Sequence, residues 1–309
     1  MKSAIAVVGE CMLQLGELQQ ADDPNALNAK LSYGGDTLNT ALYLSRLGVQ
    51  VDYVTAVGDD SMSDWLINCW QQEGIGCEHV ERFAGGVPGL YLIELDAQGE
   101  RTFKYWRKGS PASRLFDEPA RAERLYAHLS GYPNLYLSGI TLALYKTEAL
   151  ASFLNFLREY AQGGGKVFFD GNYRASLWSS PSAALEAFKA VYSVTEVALP
   201  TLDDEIQVTG INDPELAIAQ LKKWGVKEVA LKMGEKGSIV SHGSCLQRIP
   251  THSINIVDTT SAGDSFNAGY ISARLGGKTP AESADQGNRL AAVVIQHRGA
   301  VIAANLMPF

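Results

Sequence analysis

The 309-residue sequence contains few of the residues that build disulfide-bonded or metal-stabilised scaffolds. Its 4 cysteines form neither a Cys-x-x-Cys pair nor a zinc-binding spacing, and its 5 histidines show no metal-ligand spacing. Buried, inert thiols in a reducing, cytoplasmic compartment are therefore the expectation.

The sequence also lacks an excess of positive charge and any long apolar run. Lys and Arg number 26 against 34 Asp and Glu, which gives a net charge of −8. Because nucleic-acid phosphates require a basic face, no nucleic-acid partner is expected. No stretch approaches the ~20 apolar residues of a membrane span. The short apolar run at residues 5–8 is typical of a buried strand rather than of a signal sequence, so no membrane association is predicted.

Two common nucleotide-binding loops are absent from the sequence. The first predicted strand is followed by Gly9-Glu10-Cys11-Met12 instead of Gly-x-Gly-x-x-Gly, and no Walker P-loop occurs. The missing glycine pattern weakens the interpretation of the chain as a dinucleotide-dependent oxidoreductase.

Short apolar segments alternate with helical patterns along most of the chain. Strands are predicted at residues 5–8, 51–56, 135–137, 166–169, 194–198, 228–232 and 238–241, and helices at 37–47, 64–72, 147–162 and 214–224. Several of these strands lack polar alternation, which is expected where helices cover both faces of a sheet. The order favours an α/β fold with a central, mostly parallel sheet, and we expect residues 1–309 to form a single domain.

Two segments interrupt this alternation. Residues 12–33 and 89–107 resemble strand pairs, and in the second the runs 90–95 and 101–106 flank a turn at 96–99. We expect residues from about 12–33 and 89–110 to form a small β-sheet lid that projects from the main body.

The segment 258–264, Asp-Thr-Thr-Ser-Ala-Gly-Asp, has the most distinctive chemistry. Small residues before an amphipathic run predict a loop that opens a helix near Ala262. The unpaired N–H groups at a helix start form an anion site, and Ser261, Ala262 and Gly263 leave room for a phosphate. Asp264 would lie beside this anion hole, although an Asp at a helix N-terminus is usually only a favourable partner of the helix dipole.

This segment resembles the C-terminal hallmark of the ribokinase-like sugar kinases. The resemblance implies a ribokinase-like three-layer sandwich with a small β-sheet lid, and ATP as the phosphoryl donor with Mg²⁺. It further implies that Asp264 is the general base, and that Ser261, Ala262 and Gly263 stabilise the charge on the transferred phosphoryl group.

A second motif, Gly34-Gly35-Asp36-Thr37-Leu38-Asn39, lies near the N-terminus. Its glycines would let the backbone approach a sugar, with Asp36 and Asn39 as hydrogen-bonding groups, but the residues also suit an ordinary turn before a helix. The motif resembles the kinases of 2-keto-3-deoxygluconate within the family. That resemblance implies that Gly34, Gly35, Asp36 and Asn39 bind the substrate.

The end of the second lid segment, Tyr105-Trp106-Arg107, favours a sugar acid. Arg binds carboxylates bidentately, although Arg107 could also be a solvated cation packed on an exposed ring. The resemblance to the 2-keto-3-deoxygluconate kinases implies that Tyr91, Tyr105 and Arg107 contact the substrate.

Further positions are implied by the family resemblance. Asp170-Gly171-Asn172-Tyr173-Arg174 follows a predicted strand, where α/β sheets place ligands, and is similar to a mid-chain motif of the family. It implies that Arg174 contacts the sugar acid and the phosphate and that Asn172 lies near ATP. The nucleotide-pocket residues implied in the same way are Lys232, Gly234, Gly237 and Asn288.

One departure from the family pattern concerns the metal. Relatives often have Asn-x-x-Glu where this chain has Thr201 and Asp204, so no metal ligand is assigned.

Together the motifs predict ATP-dependent phosphorylation of 2-keto-3-deoxy-D-gluconate at its 6-hydroxyl. A kinase for a neutral ketose such as fructose, or a non-catalytic sugar-acid sensor, remains an alternative. Exposed lid strands favour pairing between copies, so a homo-oligomer, a dimer or larger, is expected through the lid.

Overall fold

The computed structural model describes residues 4–95, 101–251 and 254–309, and within them the chain forms two β-sheets and a set of α-helices. The strands are β1 (Ala4–Val8), β2 (Met12–Gln20), β3 (Leu27–Gly34), β4 (Gln50–Gly58), β5 (Val80–Phe83), β6 (Gly89–Leu95), β7 (Arg101–Trp106), β8 (Asn134–Ser138), β9 (Lys166–Asp170), β10 (Thr195–Ala198), β11 (Glu228–Lys232), β12 (Ser238–His242) and β13 (Cys245–Ile249). The helices are α1 (Asp36–Arg46), α2 (Ser61–Gln72), α3 (Pro119–Leu129), α4 (Gly139–Leu144), α5 (Thr147–Gln162), α6 (Pro181–Tyr192), α7 (Leu202–Thr209), α8 (Pro214–Trp224), α9 (Ala262–Leu275) and α10 (Pro280–Val294).

The larger sheet has 9 strands in the order β13-β12-β11-β10-β9-β8-β1-β4-β5. Neighbouring strands are parallel, except that β12 pairs antiparallel with β11 and with β13. The predicted central, mostly parallel sheet is confirmed.

Strand β1 shows why this sheet is the middle layer of the molecule. Ile5 and Val7 belong to one buried apolar cluster, whereas Ala6 and Val8 belong to another. Because successive side chains of a strand point to opposite faces, an apolar core lies on each side of the sheet. Helices cover both faces, as the unbroken apolar strand predicts.

The smaller sheet has 4 strands in the order β3-β2-β6-β7. The two strand pairs predicted from the sequence are present and antiparallel, while the turn predicted at residues 96–99 lies outside the described residues. A parallel pairing of β2 with β6, from Met12↔Gly89 to Leu15↔Leu92, joins the pairs into one sheet. We refer to this sheet, β3-β2-β6-β7, as the lid.

The helix start predicted near Ala262 is confirmed by helix α9, and the loop before it is held by Asp258. The Asp258 carboxylate accepts hydrogen bonds from the backbone N–H of Thr260 (3.0 Å) and of Gly299 (2.6 Å). Ser261 then adopts a left-handed conformation, with φ of 64°, directly before the helix. This turn aims the first residues of α9 at the strand ends of the large sheet.

None of the helices in the described part of the chain combines the length and the apolar character needed to cross a membrane. The cytoplasmic setting and the assignment of the chain as one domain stay predictions.

Candidate active site

Asp264 lies in the first turn of α9 and faces the start of α1. Its Oδ2 accepts a hydrogen bond from Asn39 Nδ2 at 2.8 Å, so residues 225 positions apart in the chain are in direct contact. Thr40, on the same helix as Asn39, donates from its hydroxyl to the backbone oxygen of Asp264 (3.3 Å). The two predicted motifs are thus brought together at one point.

The surroundings of Asp264 raise the pKa of its carboxyl group. Burial raises the pKa of the Asp264 carboxyl from 3.8 to about 7, and the nearby charge of Asp36 adds to this rise. The hydrogen bond from Asn39 acts in the opposite direction, because it favours the ionised carboxylate. A carboxylate with a pKa near neutrality is well matched to accept a proton from a substrate hydroxyl.

Asp36, at the start of α1, is held by a residue from the opposite side of the site. Asn172 Nδ2 donates to Asp36 Oδ2 at 2.7 Å, and Asn172 adopts a positive φ of 32°. Asn172, predicted to lie near ATP, therefore directly contacts a predicted substrate residue.

A buried polar cluster lies behind the start of α9. Lys232 Nζ donates to Asp170 Oδ2 (3.2 Å) and to Asn267 Oδ1 (2.9 Å), and Asn267 Nδ2 donates to Asp170 Oδ2 (2.7 Å). A Cβ placed on Gly263 would lie 3.5 Å from Lys232 Nζ, so the ammonium group is next to the helix start. Positive charge and helix N–H groups therefore converge there, as an anion site requires.

At the start of α9, fewer backbone N–H groups can bind an anion than the three residues of the predicted anion hole suggest. The N–H of Ala262 donates to the backbone oxygen of Thr259 at 3.2 Å. The next N–H groups, of Gly263 and Asp264, belong to the first turn and have no intrahelical acceptor. The N–H group of Gly263 can therefore bind an anion, whereas that of Ala262 already donates to Thr259.

A cleft of about 640 Å³ opens in front of this anion site. Its lining includes Lys232, Gly234, Gly237, Ala262, Gly263 and Asn288, all predicted to bind the nucleotide. Asn172 and Ser261 are not among the lining residues in the described ranges. Apolar side chains of Ile254, Ile256, Phe266 and Ile295 form much of the remaining wall. An apolar cleft that ends at an anion site suits a flat base with a phosphate chain.

The lid contributes aromatic side chains to the other side of the site. The Tyr91 hydroxyl donates to Gln14 Oε1 at 2.5 Å, and a Cβ on Gly34 would lie 2.6 Å from that hydroxyl. The rings of Tyr91 and Tyr105 have centroids 5.8 Å apart, and Tyr105 is 54% exposed. Tyr91 and Gly34 therefore share one small space, and Tyr105 presents an open ring beside it.

Arg107, the predicted carboxylate ligand, is already paired within the protein. Its Nη2 donates to Glu10 Oε2, and the Ser110 hydroxyl donates to Glu10 Oε1. Glu10 and Ser110 were not singled out from the sequence, because their positions carry no local motif. The one local signal for Glu10 was its place directly after the first buried strand, where α/β sheets gather functional groups.

Arg174 and Asp204 form an ion pair at the edge of the site, with 3.3 Å between Nη1 and Oδ1. Burial raises the pKa of Asp204, and Arg174 opposes this rise. The next residue, Glu205, accepts a hydrogen bond from Tyr192 at 2.5 Å, and burial raises its pKa to about 7. Asp204 therefore neighbours the site, whereas Glu205 belongs to the interior.

The described residues contain no group of three or more His, Cys, Asp and Glu side chains that could hold a metal ion. Two carboxylates at the site form ion pairs within the protein, Asp170 with Lys232 and Asp204 with Arg174.

The chain is similar to known proteins over nearly its whole length. The pfkB family carbohydrate kinase model matches residues 2–305. The 2-dehydro-3-deoxygluconokinase of Dickeya dadantii (strain 3937) is 41% identical over 312 residues, which cover 98% of each chain. The enzyme of the same name from Escherichia coli (strain K12) is 39% identical over 316 residues, which cover 100% of each chain. The crystal structure of a PfkB protein from Polaromonas sp. JS666 superposes with a TM-score of 0.82 at 27% identity and covers 96% of each chain. The predicted ribokinase-like fold is confirmed.

Proposed function

Because the chain belongs to the pfkB family of carbohydrate kinases, we propose that it phosphorylates 2-keto-3-deoxy-D-gluconate at its 6-hydroxyl with ATP. The products are 2-keto-3-deoxy-6-phosphogluconate and ADP. The similar proteins named 2-dehydro-3-deoxygluconokinase support this substrate, because their likeness extends over the whole chain. The observation that carries the proposal is Asp264, a carboxylate with a pKa near neutrality that follows Gly263, a residue lining the nucleotide cleft.

In this proposal Asp264 accepts the proton of the 6-hydroxyl while the oxygen attacks the γ-phosphorus of ATP. The bond to the β–γ bridging oxygen breaks, and ADP leaves with that oxygen. The Gly263 N–H group and the Lys232 ammonium stabilise the charge on the transferred group. Asn39 orients the Asp264 carboxylate through its hydrogen bond.

The nucleotide occupies the cleft of about 640 Å³, with its phosphates toward Gly263. Gly234, Gly237, Asn288 and Lys232 line the cleft and are proposed to contact the nucleotide. Among the described residues, no group of three or more His, Cys, Asp and Glu side chains could hold a metal ion, and Mg²⁺ is proposed to enter with ATP, bound by phosphate and water oxygens. Such an ion would neutralise part of the phosphate charge.

The sugar acid is proposed to bind between the start of α1 and the lid. Asp36, Asn39 and Tyr91 offer hydrogen bonds to its hydroxyl groups, while Gly34 and Gly35 leave room for the sugar backbone. Tyr105 covers the open side. Arg107 and Arg174 supply positive charge for the carboxylate, and Arg107 Nε is a buried donor without a partner among the described residues.

The lid is also proposed to mediate self-association. Leu18 and Leu27 on its strands β2 and β3 are 42% and 63% exposed, and Trp106 on β7 is 56% exposed. Large apolar side chains on a small sheet favour burial against another copy. A dimer or a larger oligomer through the lid is therefore proposed.

A coupled ADP-release assay over a panel of sugars and sugar acids tests the substrate. We expect kcat/KM for 2-keto-3-deoxygluconate to exceed that for fructose by at least about a hundredfold, because a neutral ketose has no carboxylate to pair with the Arg107 guanidinium, whose Nε is a buried donor without a partner among the described residues. The phosphorylated position is identified by ³¹P and ¹³C NMR of the product. Faster turnover of fructose would identify a neutral-ketose kinase, and sugar-acid binding without any ADP release would identify a sensor.

A further inference from the structure

The loop after β1 places one buried carboxylate, Glu10, beneath the lid. The Glu10 side chain is 1% exposed, and both of its oxygens accept hydrogen bonds from the segment that follows β7. Arg107 Nη2 donates to Oε2, and the Ser110 hydroxyl donates to Oε1. A carboxylate this deeply buried is stable only when a positive charge and hydrogen bonds compensate it. Glu10 therefore fixes where the Arg107 guanidinium lies.

The backbone of Glu10 is tied equally closely to the sugar side of the site. A Cβ on Gly35 would lie 2.2 Å from the backbone oxygen of Glu10, so the loop abuts the residue that precedes α1. The candidate substrate residues Asp36 and Asn39 lie in the first turn of that helix. A single residue thus connects the lid to the helix that carries the sugar contacts.

The guanidinium of Arg107 is only partly satisfied by this arrangement. Its side chain is 13% exposed, and Nε is buried with no hydrogen-bond partner among the described residues. An unpaired buried donor is costly, and a planar guanidinium presents its donors in a rigid fork. When Glu10 binds one edge of this fork, the orientation of the other donors is fixed as well. The acceptor that matches the remaining donors of a guanidinium is a carboxylate.

We propose that Glu10 is a positioning residue for the sugar acid: it holds Arg107 in the orientation that receives the substrate carboxylate. This inference rests on the proposed function. It assigns Glu10 no contact with the substrate or with the reacting atoms. Its effect is on sugar-acid affinity and on the preference for acids over neutral sugars.

The first test compares Glu10→Ala and Glu10→Gln with the wild type. Glu10→Ala is expected to raise KM for 2-keto-3-deoxygluconate by about tenfold or more, with kcat and KM for ATP within about threefold of wild type. Glu10→Gln keeps an acceptor oxygen for Arg107 and is expected to bring KM back to within about fivefold of wild type. The ratio of kcat/KM for the sugar acid to that for fructose falls in the order wild type, Glu10→Gln, Glu10→Ala. A structural role alone would lower kcat and both affinities together.

A double-mutant cycle with Arg107→Ala tests whether Glu10 acts through Arg107. Arg107→Ala alone raises the sugar-acid KM, and adding Glu10→Ala to it is expected to raise KM no further. An equal effect of Glu10→Ala in both backgrounds would overturn the proposal. Ser110→Ala gives a milder version of the test, with an expected KM increase of about two- to fivefold that also disappears without Arg107. Ser110→Ala replaces Glu10→Ala in the double-mutant cycle if Glu10→Ala does not fold.

Glu73→Gln is the matched control. Glu73 accepts hydrogen bonds from Arg46 at 2.6 and 2.7 Å and lies outside the candidate site, so its loss is expected to leave the sugar-acid KM unchanged. Wild type and variants are assayed side by side. An active wild type whose KM does not respond to Glu10→Ala refutes the role of Glu10 alone. A wild type inactive on the sugar acid refutes the proposed function and this inference with it.

Discussion

At the residue scale, the environment of Asp264 gives its carboxyl group a proton affinity that suits the proposed role of general base. The pKa of Asp264 rises to about 7, first because the side chain is buried and then because the charge of Asp36 lies nearby. The amide of Asn39 restrains this rise by donating to the carboxylate at 2.8 Å. The free-energy cost of keeping this group ionised falls on the folded state, which is a common cost of catalytic carboxylates.

The pH profile of the sugar-acid reaction follows from this environment. Because the base must be ionised, kcat/KM is expected to fall as the pH decreases through about 7 and to level off above it. Asn39→Leu removes a hydrogen bond that favours the ionised form, so the acidic limb is expected to move to higher pH. Coupled assays between about pH 5 and 9 measure both profiles. A flat wild-type profile down to pH 5, or a limb that moves to lower pH in the variant, would contradict the assignment.

Residues within a motif could be predicted from the sequence, whereas distant partners could not. Asp264, Gly263 and Asn39 could be proposed as site residues because they stand in recognisable local patterns. Glu10 and Arg107 are 97 positions apart, and their pairing exists only once the lid has folded over the β1 loop. Neither the secondary-structure propensities of these residues nor their spacing in the sequence predicts such a contact.

At the element scale, the starts of α1 and α9 converge, and this convergence builds the site. Gly35 stands directly before α1 against the backbone of the Glu10 loop, where no side chain fits. The small residues before α9 allow the turn at Ser261 and bring Gly263 close to Lys232. The position of each helix start therefore decides where the base and the anion site lie.

Replacing Gly35 with Ala tests this convergence. The added Cβ would lie 2.2 Å from the backbone oxygen of Glu10, so α1 or the β1 loop must shift. We expect the free energy of unfolding to fall by about 1–3 kcal/mol and kcat/KM to fall by about tenfold or more. Urea unfolding and the coupled assay measure the two effects. Gly16→Ala on β2, where a Cβ meets nothing within 4 Å, is the matched control and is expected to change neither quantity. Full activity in Gly35→Ala would disprove the role of this close approach.

The sequence predicts the bounds of an element well where capping residues mark its ends. Helix α8 follows the capping Asp213, whose side chain accepts hydrogen bonds from Glu215 N and Leu216 N, and it ends at Gly225 with φ of 119°. The predicted bounds of α5 and α8 are confirmed. The parallel pairing of β2 with β6 could not be foreseen, because it connects strand pairs separated by α1, β4, α2 and β5 and has no local signature.

At the scale of the whole molecule, helices packed on the large sheet carry the proposed base and anion site, and the lid lies on the proposed sugar side. The lid strands expose large apolar side chains that the large sheet does not cover. Their burial between copies would join two lids and stabilise the walls of both sugar sites.

Sedimentation velocity tests this self-association. The wild-type chain is expected to sediment as a dimer or a larger oligomer at micromolar concentration, and Leu27→Glu on the lid is expected to weaken the association by placing a charge in the contact. Leu216→Glu on α8 is the matched control, because Leu216 is equally exposed, at 63%, but lies outside the lid. A monomeric wild type, or equal effects of both substitutions, would contradict a lid interface.

The central claim, that Asp264 is the base of a sugar-acid kinase, is tested most directly by Asp264→Asn. Because the folded-state pKa is raised above 3.8, the ionised side chain destabilises the fold near neutral pH, and the variant is expected to fold with an unchanged or higher Tm. Asp213→Asn, at the exposed start of α8, is the control for the amide substitution itself. We predict that kcat of Asp264→Asn falls by about 10²–10⁴-fold, while the calorimetric Kd for the sugar acid stays within about threefold of wild type. A kcat within about twofold of wild type would contradict the account.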